Sequence, residues 1–166
     1  MEMSWRYSHR FRADKLNFGA LMPDVGIHPK GKIGLPDLFR KLRQDLGENV
    51  GAIGCFVGVV RGISEEGERV KFLRYQSSED AVKKLEQIAA DIEKRPNIHR
   101  VMIHHIVDQI APGEDAIYVL VAGHRRDDIF KALPEVMNRV KVEVPIWKKE
   151  VTERRKYWIH ELAEKR

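Results

Sequence analysis

The 166-residue chain has one cysteine, Cys55. No disulfide can form within it, and no Cys-x-x-Cys zinc site or redox pair exists. A chain so poor in cysteine is expected in the cytoplasm, where thiols stay reduced. It also lacks a long apolar run. Nothing approaches the ~20 residues that a membrane helix needs, and Met1-Glu2-Met3-Ser4-Trp5-Arg6 has no apolar signal core. Neither membrane insertion nor secretion is expected. The nucleotide-binding and hydrolase signatures GxGxxG, GxxxxGK[ST] and GxSxG are absent, so nucleotide hydrolysis and serine-hydrolase chemistry have no support. HExxH spacing is absent too. His104 and His105 are adjacent on an expected strand and point to opposite faces, so they cannot share one metal there. No metal and no resident cofactor are expected. Aromatic residues make up only 8%.

Charge is plentiful. Asp, Glu, Lys and Arg make up 33% of the chain, with 30 basic against 25 acidic residues and a net charge of +5. A modest positive excess suits an anionic partner or substrate. The length fits a single domain with a real core.

Residues 1–35 read as an N-terminal arm of unassigned role. They are basic at first, then punctuated by glycine and proline, with room for one short strand. Residues 36–166 read as one domain. Pro36 opens a short helix carrying Leu38, Phe39, Leu42 and Leu46, with Gly47 as its C-cap. The apolar run 51–60 and the segment 70–75 read as the two strands of a hairpin. Ser77 or Ser78 caps a helix with the stripe Ala81, Val82, Leu85, Ile88, Ala89 and Ile92. Strands follow at 98–107 and 116–122, joined by Ala111-Pro112-Gly113-Glu114. A second main helix spans 127–140 on Ile129, Phe130, Leu133, Met137 and Val140, and Pro134 should kink or restart it. Residues 142–147 are extended around Pro145, and 154–165 suggest a last short helix. This order argues for an α+β domain with a mostly antiparallel sheet and two main helices.

Three places could carry chemistry. His124-Arg125 sits between a strand and a helix, where free N–H groups and a guanidinium fork can bind an anion. On pattern alone, pairing of Arg125 and Arg126 with Asp127 and Asp128 is the more common arrangement. Lys141 and Lys148 flank one bend around Pro145, so their ammonium groups could meet on one anionic group; solvated surface lysines are the plain alternative. Arg61 closes the apolar strand and could reach the same pocket. Trp147 could wall that pocket or belong to the core. Cys55 reads as a small buried hydrophobe rather than a nucleophile.

Taken in order, these segments resemble the large, catalytic subunit of molybdopterin synthase. The resemblance rests on Gly51-Ala52-Ile53 with Phe56-Val57-Gly58-Val59-Val60-Arg61-Gly62, Leu73-x-Tyr75, His105, Pro112-Gly113-Glu114 and His124-Arg125. Above all it rests on Lys141 with Pro145-Ile146-Trp147-Lys148-Lys149-Glu150. It covers about residues 36–158. It implies an α/β-hammerhead fold and sulfur transfer to a cyclic pyranopterin monophosphate. The donor would be a C-terminal Gly-Gly thiocarboxylate on a small ubiquitin-like carrier, and the large subunit would form a homodimer within a heterotetramer. The family's two active-site lysines fall on Lys141 and Lys148. Its substrate-binding positions fall on Arg61, His124, Arg125, Lys149 and Glu150, with backbone contacts from Val59 and Val60. The chain departs from the family pattern at Gln76, Ile106, Asp108 and Pro134, and in residues 1–35.

Two other functions fit the residues less fully. One is a non-catalytic binder of a ubiquitin-like tail. The other is a nucleic-acid module using the basic arm and Arg154-Arg155-Lys156; strands that carry mainly aliphatic residues count against it.

Overall fold

The computed structural model describes residues 22–154 and 156–159. Eleven elements follow one another: β1 Asp24–His28, α1 Leu35–Gln44, β2 Ala52–Val59, β3 Val70–Ser77, α2 Ala81–Glu93, β4 Ile98–Ile106, β5 Gln109–Ile110, β6 Asp115–Gly123, α3 Arg126–Glu143, β7 Ile146–Thr152 and β8 Lys156–Ile159. The chain is α+β, with two longer helices and one short one, as expected.

The strands form two four-stranded sheets, β1-β4-β6-β2 and β5-β3-β7-β8. All neighbours are antiparallel except β1 and β4. The two central strands of the first sheet are buried on both faces, so the period-2 alternation feeds two cores. Val101 and Ile103 of β4, with Ile117, Val119 and Val121 of β6, meet α2 and α3. Met102, Tyr118, Leu120 and Ala122 face the other way, toward Leu38 and Leu42 of α1 and Leu73 and Ile110 of the second sheet. Gly54 lets α3 close on β2, because a side chain there would overlap Ile129.

Several expectations fail for identifiable reasons. The strands at 51–60 and 70–75 are not a hairpin: β2 pairs with β6, while β3 pairs with β5 and β7 in the other sheet. Only the bridge Ile63–Arg69 joins their connecting loop. The expected serine cap does not form. Asp80 precedes α2 in helical conformation without a side-chain cap, and the buried Ser78 Oγ finds no hydrogen-bond partner among the described residues. The residue capping α1 at its C-terminus is Asp45, not Gly47.

Pro134 neither ends nor restarts α3, which runs unbroken from Arg126 to Glu143. Pro134 and Phe130 both lie on its exposed side, where water can take the carbonyl that the missing N–H leaves free. Phe130 is therefore 69% exposed rather than core; the buried stripe is Ile129, Ala132, Val136 and Val140. Val142 and Glu143 are helical, and the strand begins at Ile146. Residues 156–159 form a strand rather than a final helix; the rest of that expected helix, and residues 1–21, lie outside the described residues. Within the expected arm, β1 forms the edge of the first sheet.

Candidate active site

Pro145 decides the local geometry. Proline biases the preceding residue toward extended backbone and cannot continue a helix. Val144 is extended, with its N–H still bonded to the Val140 carbonyl. The chain then reverses and enters β7. Lys141 in the last turn of α3 is well placed against the helix dipole. Lys148, seven residues on, stands near the start of β7 opposite Tyr75 of β3.

Both lysines line one cleft of about 670 Å³ at the seam between the two sheets. Arg61 and Val59 join them from the end of β2, as do Tyr75 and His105 from β3 and β4. Val140, Val144 and Ile117 make apolar wall, and Gly58 lines the cleft beside Ile117, where a side chain would overlap. Phe56, Val59, Val142 and Trp147 also line it and are all more than a third exposed. Trp147 is thus a pocket wall and not core.

The charges are arranged unequally. Glu143 lines the cleft but is held by Arg139, with Nε 2.7 Å and Nη2 3.0 Å from its carboxylate oxygens. That guanidinium keeps its carboxyl below the usual range. Among the described residues, Arg61 makes only a long contact, 3.4 Å, to the exposed Glu65. The His105 ring nitrogen Nδ1 lies 2.9 Å from the Ile106 carbonyl, and Tyr75 meets the ring edge-on with centroids 5.0 Å apart. His104 points to the other face of β4 and contacts His28.

Not all the expected site residues gather here. Val60 is buried, and its backbone is engaged, its N–H donating to the Glu114 carbonyl and its carbonyl accepting from Gly113. Lys149 points to the opposite face of β7 from Lys148 and packs over the Trp158 ring at 5.4 Å. Glu150 is buried, one pleat beyond Lys148. His124 and Arg125 stand at the start of α3, and His124 Nδ1 lies 2.9 Å from the Asn49 carbonyl. Lys141 is sixteen residues along from Arg125, which at 1.5 Å per residue puts them ~24 Å apart. Within one chain, the His124-Arg125 pair does not reach the lysines. Sequence reasoning left Phe56, Val142, Tyr75 and His105 off the site. The alternation of β4, which sends His104 and His105 to opposite faces, was the available signal for His105.

The protein family described as "MoaE protein" matches residues 32–143. The chain belongs to the MoaE family. A molybdopterin synthase catalytic subunit of Pyrococcus abyssi is 33% identical over 112 residues, 67% of this chain and 75% of that protein. A Haloferax volcanii protein named "Probable molybdopterin synthase" is 33% identical over 155 residues, 90% of this chain. This MoaE chain spans only 58% of that relative's length. The crystal structure of molybdopterin synthase from Staphylococcus aureus superimposes with a TM-score of 0.71 at 29% identity, covering 84% of this chain and 98% of that one.

Proposed function

We propose that this MoaE chain is the sulfur-transferring subunit of a molybdopterin synthase. The observation that carries the reading is the convergence of Lys141 and Lys148 on one cleft with apolar residues at its mouth. An apolar rim leading to cations suits an extended peptide that ends in an anion. The thiocarboxylate of a ubiquitin-like carrier ending in Gly-Gly is such a peptide, and a cyclic pyranopterin monophosphate is a second anion for the same cations. Each sulfur forms a C–S bond in place of a C–O bond of the pterin side chain, whose oxygen leaves with the phosphate or as water; water adds to the tail's acyl carbon as its C–S bond breaks, and the tail leaves as a carboxylate. Lys141 stabilises the oxyanion that forms on that carbon. Lys148 and Arg61 hold the anionic ends. A dithiolene carries two sulfurs, so two tails are consumed per pterin. A reduced cytoplasm suits a donor that oxidation would destroy.

His124 and Arg125 enter through a second copy of the chain. β2 is an edge strand with no charged residue, AIGCFVGV, and such an edge invites pairing. Antiparallel pairing of two β2 strands sets the start of one beside the end of the other. That brings the partner's Gly51 end, with His124 and Arg125 beside it, toward Arg61 and the cleft. The homodimer, and a heterotetramer with two carriers, follow from this arrangement.

Dithiolene formation with a thiocarboxylated carrier is the test. Lys141→Ala should lower its rate ~10²–10³-fold, the usual cost of losing one oxyanion-stabilising group. A near-normal rate would remove Lys141 from the mechanism, and a chain that binds the tail without turnover would be a binder only.

A further inference from the structure

Register runs Ile27, His105, Ile117 and Gly58 in one row across all four strands of the first sheet. Members of a row share a face, and His105, Ile117 and the bare Gly58 all line the cleft. The His105 side chain is buried there. Its Nδ1 lies 2.9 Å from the Ile106 carbonyl. A carbonyl only accepts, so Nδ1 carries the ring proton of the neutral imidazole and Nε2 keeps the lone pair. Tyr75, edge-on at 5.0 Å between centroids, fixes the plane of the ring.

Sulfur transfer makes a demand that cations do not meet. Water adding to the tail's acyl carbon has to lose a proton. Among the described residues, the ionisable side chains lining the cleft are Arg61, Tyr75, His105, Lys141, Glu143 and Lys148. Charged arginine and lysine are donors only, and a neutral tyrosine is a poor base. Glu143 accepts from Nε and Nη2 of Arg139, which holds its carboxyl below the usual range. That leaves the imidazole.

We propose that His105 is the general base that hydrolyses the acyl–sulfur bond once the sulfur has joined the pterin. The inference rests on the reading of the cleft given above. Nε2 takes a proton from water as the water oxygen bonds to the acyl carbon. The carbonyl π pair moves onto its oxygen, beside Lys141. Collapse of that oxyanion breaks the C–S bond, and the pair leaves on the pterin sulfur as a thiolate. The imidazolium returns its proton to the thiolate or to solvent. The tail departs as an acid that ionises to a carboxylate, with no net oxidation or reduction.

Single-turnover reactions of the full chain with a thiocarboxylated carrier and cyclic pyranopterin monophosphate separate the two steps. Acid quenching and mass spectrometry follow the carrier–pterin thioester and the free carrier carboxylate. His105→Gln should form the thioester at near the wild-type rate and hydrolyse it ~10²–10³-fold more slowly, so that thioester accumulates. Wild-type hydrolysis should rise with pH as imidazolium becomes imidazole, and the variant should lose that dependence. Tyr75 of β3, Lys148 of β7, Lys141 and Glu143 of α3, and Arg61 beyond β2 share the cleft with the ring and stay unchanged in the variant; β1 and β6 place only Ile27 and Ile117 in its row. His105→Ala should regain hydrolysis when imidazole is added. Thioester that builds up in neither variant would make His105 structural and overturn the proposal. Hydrolysis by wild type that is flat from about pH 5 to 8 would overturn it without any variant. Build-up in His124→Gln instead would give the role to the imidazole of a second copy and also overturn it. If wild type forms no thioester from carrier and pterin, the reading of the cleft falls as well.

Discussion

Asp24 Oδ1 lies 2.8 Å from Lys41 Nζ and 3.5 Å from His104 Nε2, where β1 meets β4 and α1. Burial alone would raise its carboxyl, but contacts with His104 and Lys41 outweigh that and bring it down to about 2, from 3.8. A group depressed on folding stabilises the protein above its unfolded value, and the benefit is lost as pH falls through the folded one. Asp24 therefore contributes above about pH 4 and stops contributing by about pH 2, a difference of roughly 2 kcal/mol. Asp24→Asn should lower stability at pH 7 by about that amount and flatten the acid limb between pH 4 and 2 in denaturation followed by circular dichroism. An unchanged acid limb would show that the pair is not coupled to folding. At this scale the two lysines were legible because one proline-centred bend fixes their relation over seven residues. The grouping of His124-Arg125 with them was not, because a linear motif carries no distance, and an 18-residue helix lies between.

Helix α3 holds Lys141 at one end, so its straightness matters to the cleft. Pro134 costs it one internal hydrogen bond on the exposed side. Pro134→Ala should restore that bond and raise stability by ~1–3 kcal/mol, read as a higher melting temperature with the same spectrum. A lower one would mean that the proline's ring, not its missing N–H, governs the site. Where α3 crosses β2 the packing is tight. Gly54→Val should push against Ile129 and cost ~1–3 kcal/mol, seen as an earlier denaturation midpoint. Element type was readable from periodicity throughout, as in the stripe of α2, of which Ala81, Leu85, Ile88, Ala89 and Ile92 are buried. Pairing was not. The apolar strand β2 and the alternating strand β3 look like a hairpin over a short polar loop, yet each finds its partners far along the chain. Nothing in the two strands themselves says which sheet they join.

At the scale of the whole molecule, a shared site makes an activity prediction that one chain cannot satisfy. Lys141→Ala and Arg125→Ala should each be nearly inactive alone. Mixed and allowed to exchange subunits, they should recover about one quarter of wild-type activity, because half the dimers are mixed and each of those has one intact site. Steady-state sulfur transfer measures it, and no recovery after demonstrated exchange would place both residues in separate functions. The α+β class and the two main helices were legible because composition and hydrophobic period determine them. The division into two sheets and the seam that holds the cleft were not, because they arise from contacts between distant segments.

The pairing order also governs how the chain comes together. β1 pairs with residues 102–106, β2 with 115–123, and β3 with 109–110 and 146–152. As the protein emerges from the ribosome, β1, β2 and β3 lack the partners they have among the described residues until the later part of the chain is made. The antiparallel pair β4 and β6, separated only by residues 107–114 with β5 among them, is the first stretch of the main sheet able to close. The uncharged strand β2 must stay out of reach of other chains until then, so this protein is most exposed to aggregation during synthesis, and a chaperone that covers residues 52–59 would act in that interval.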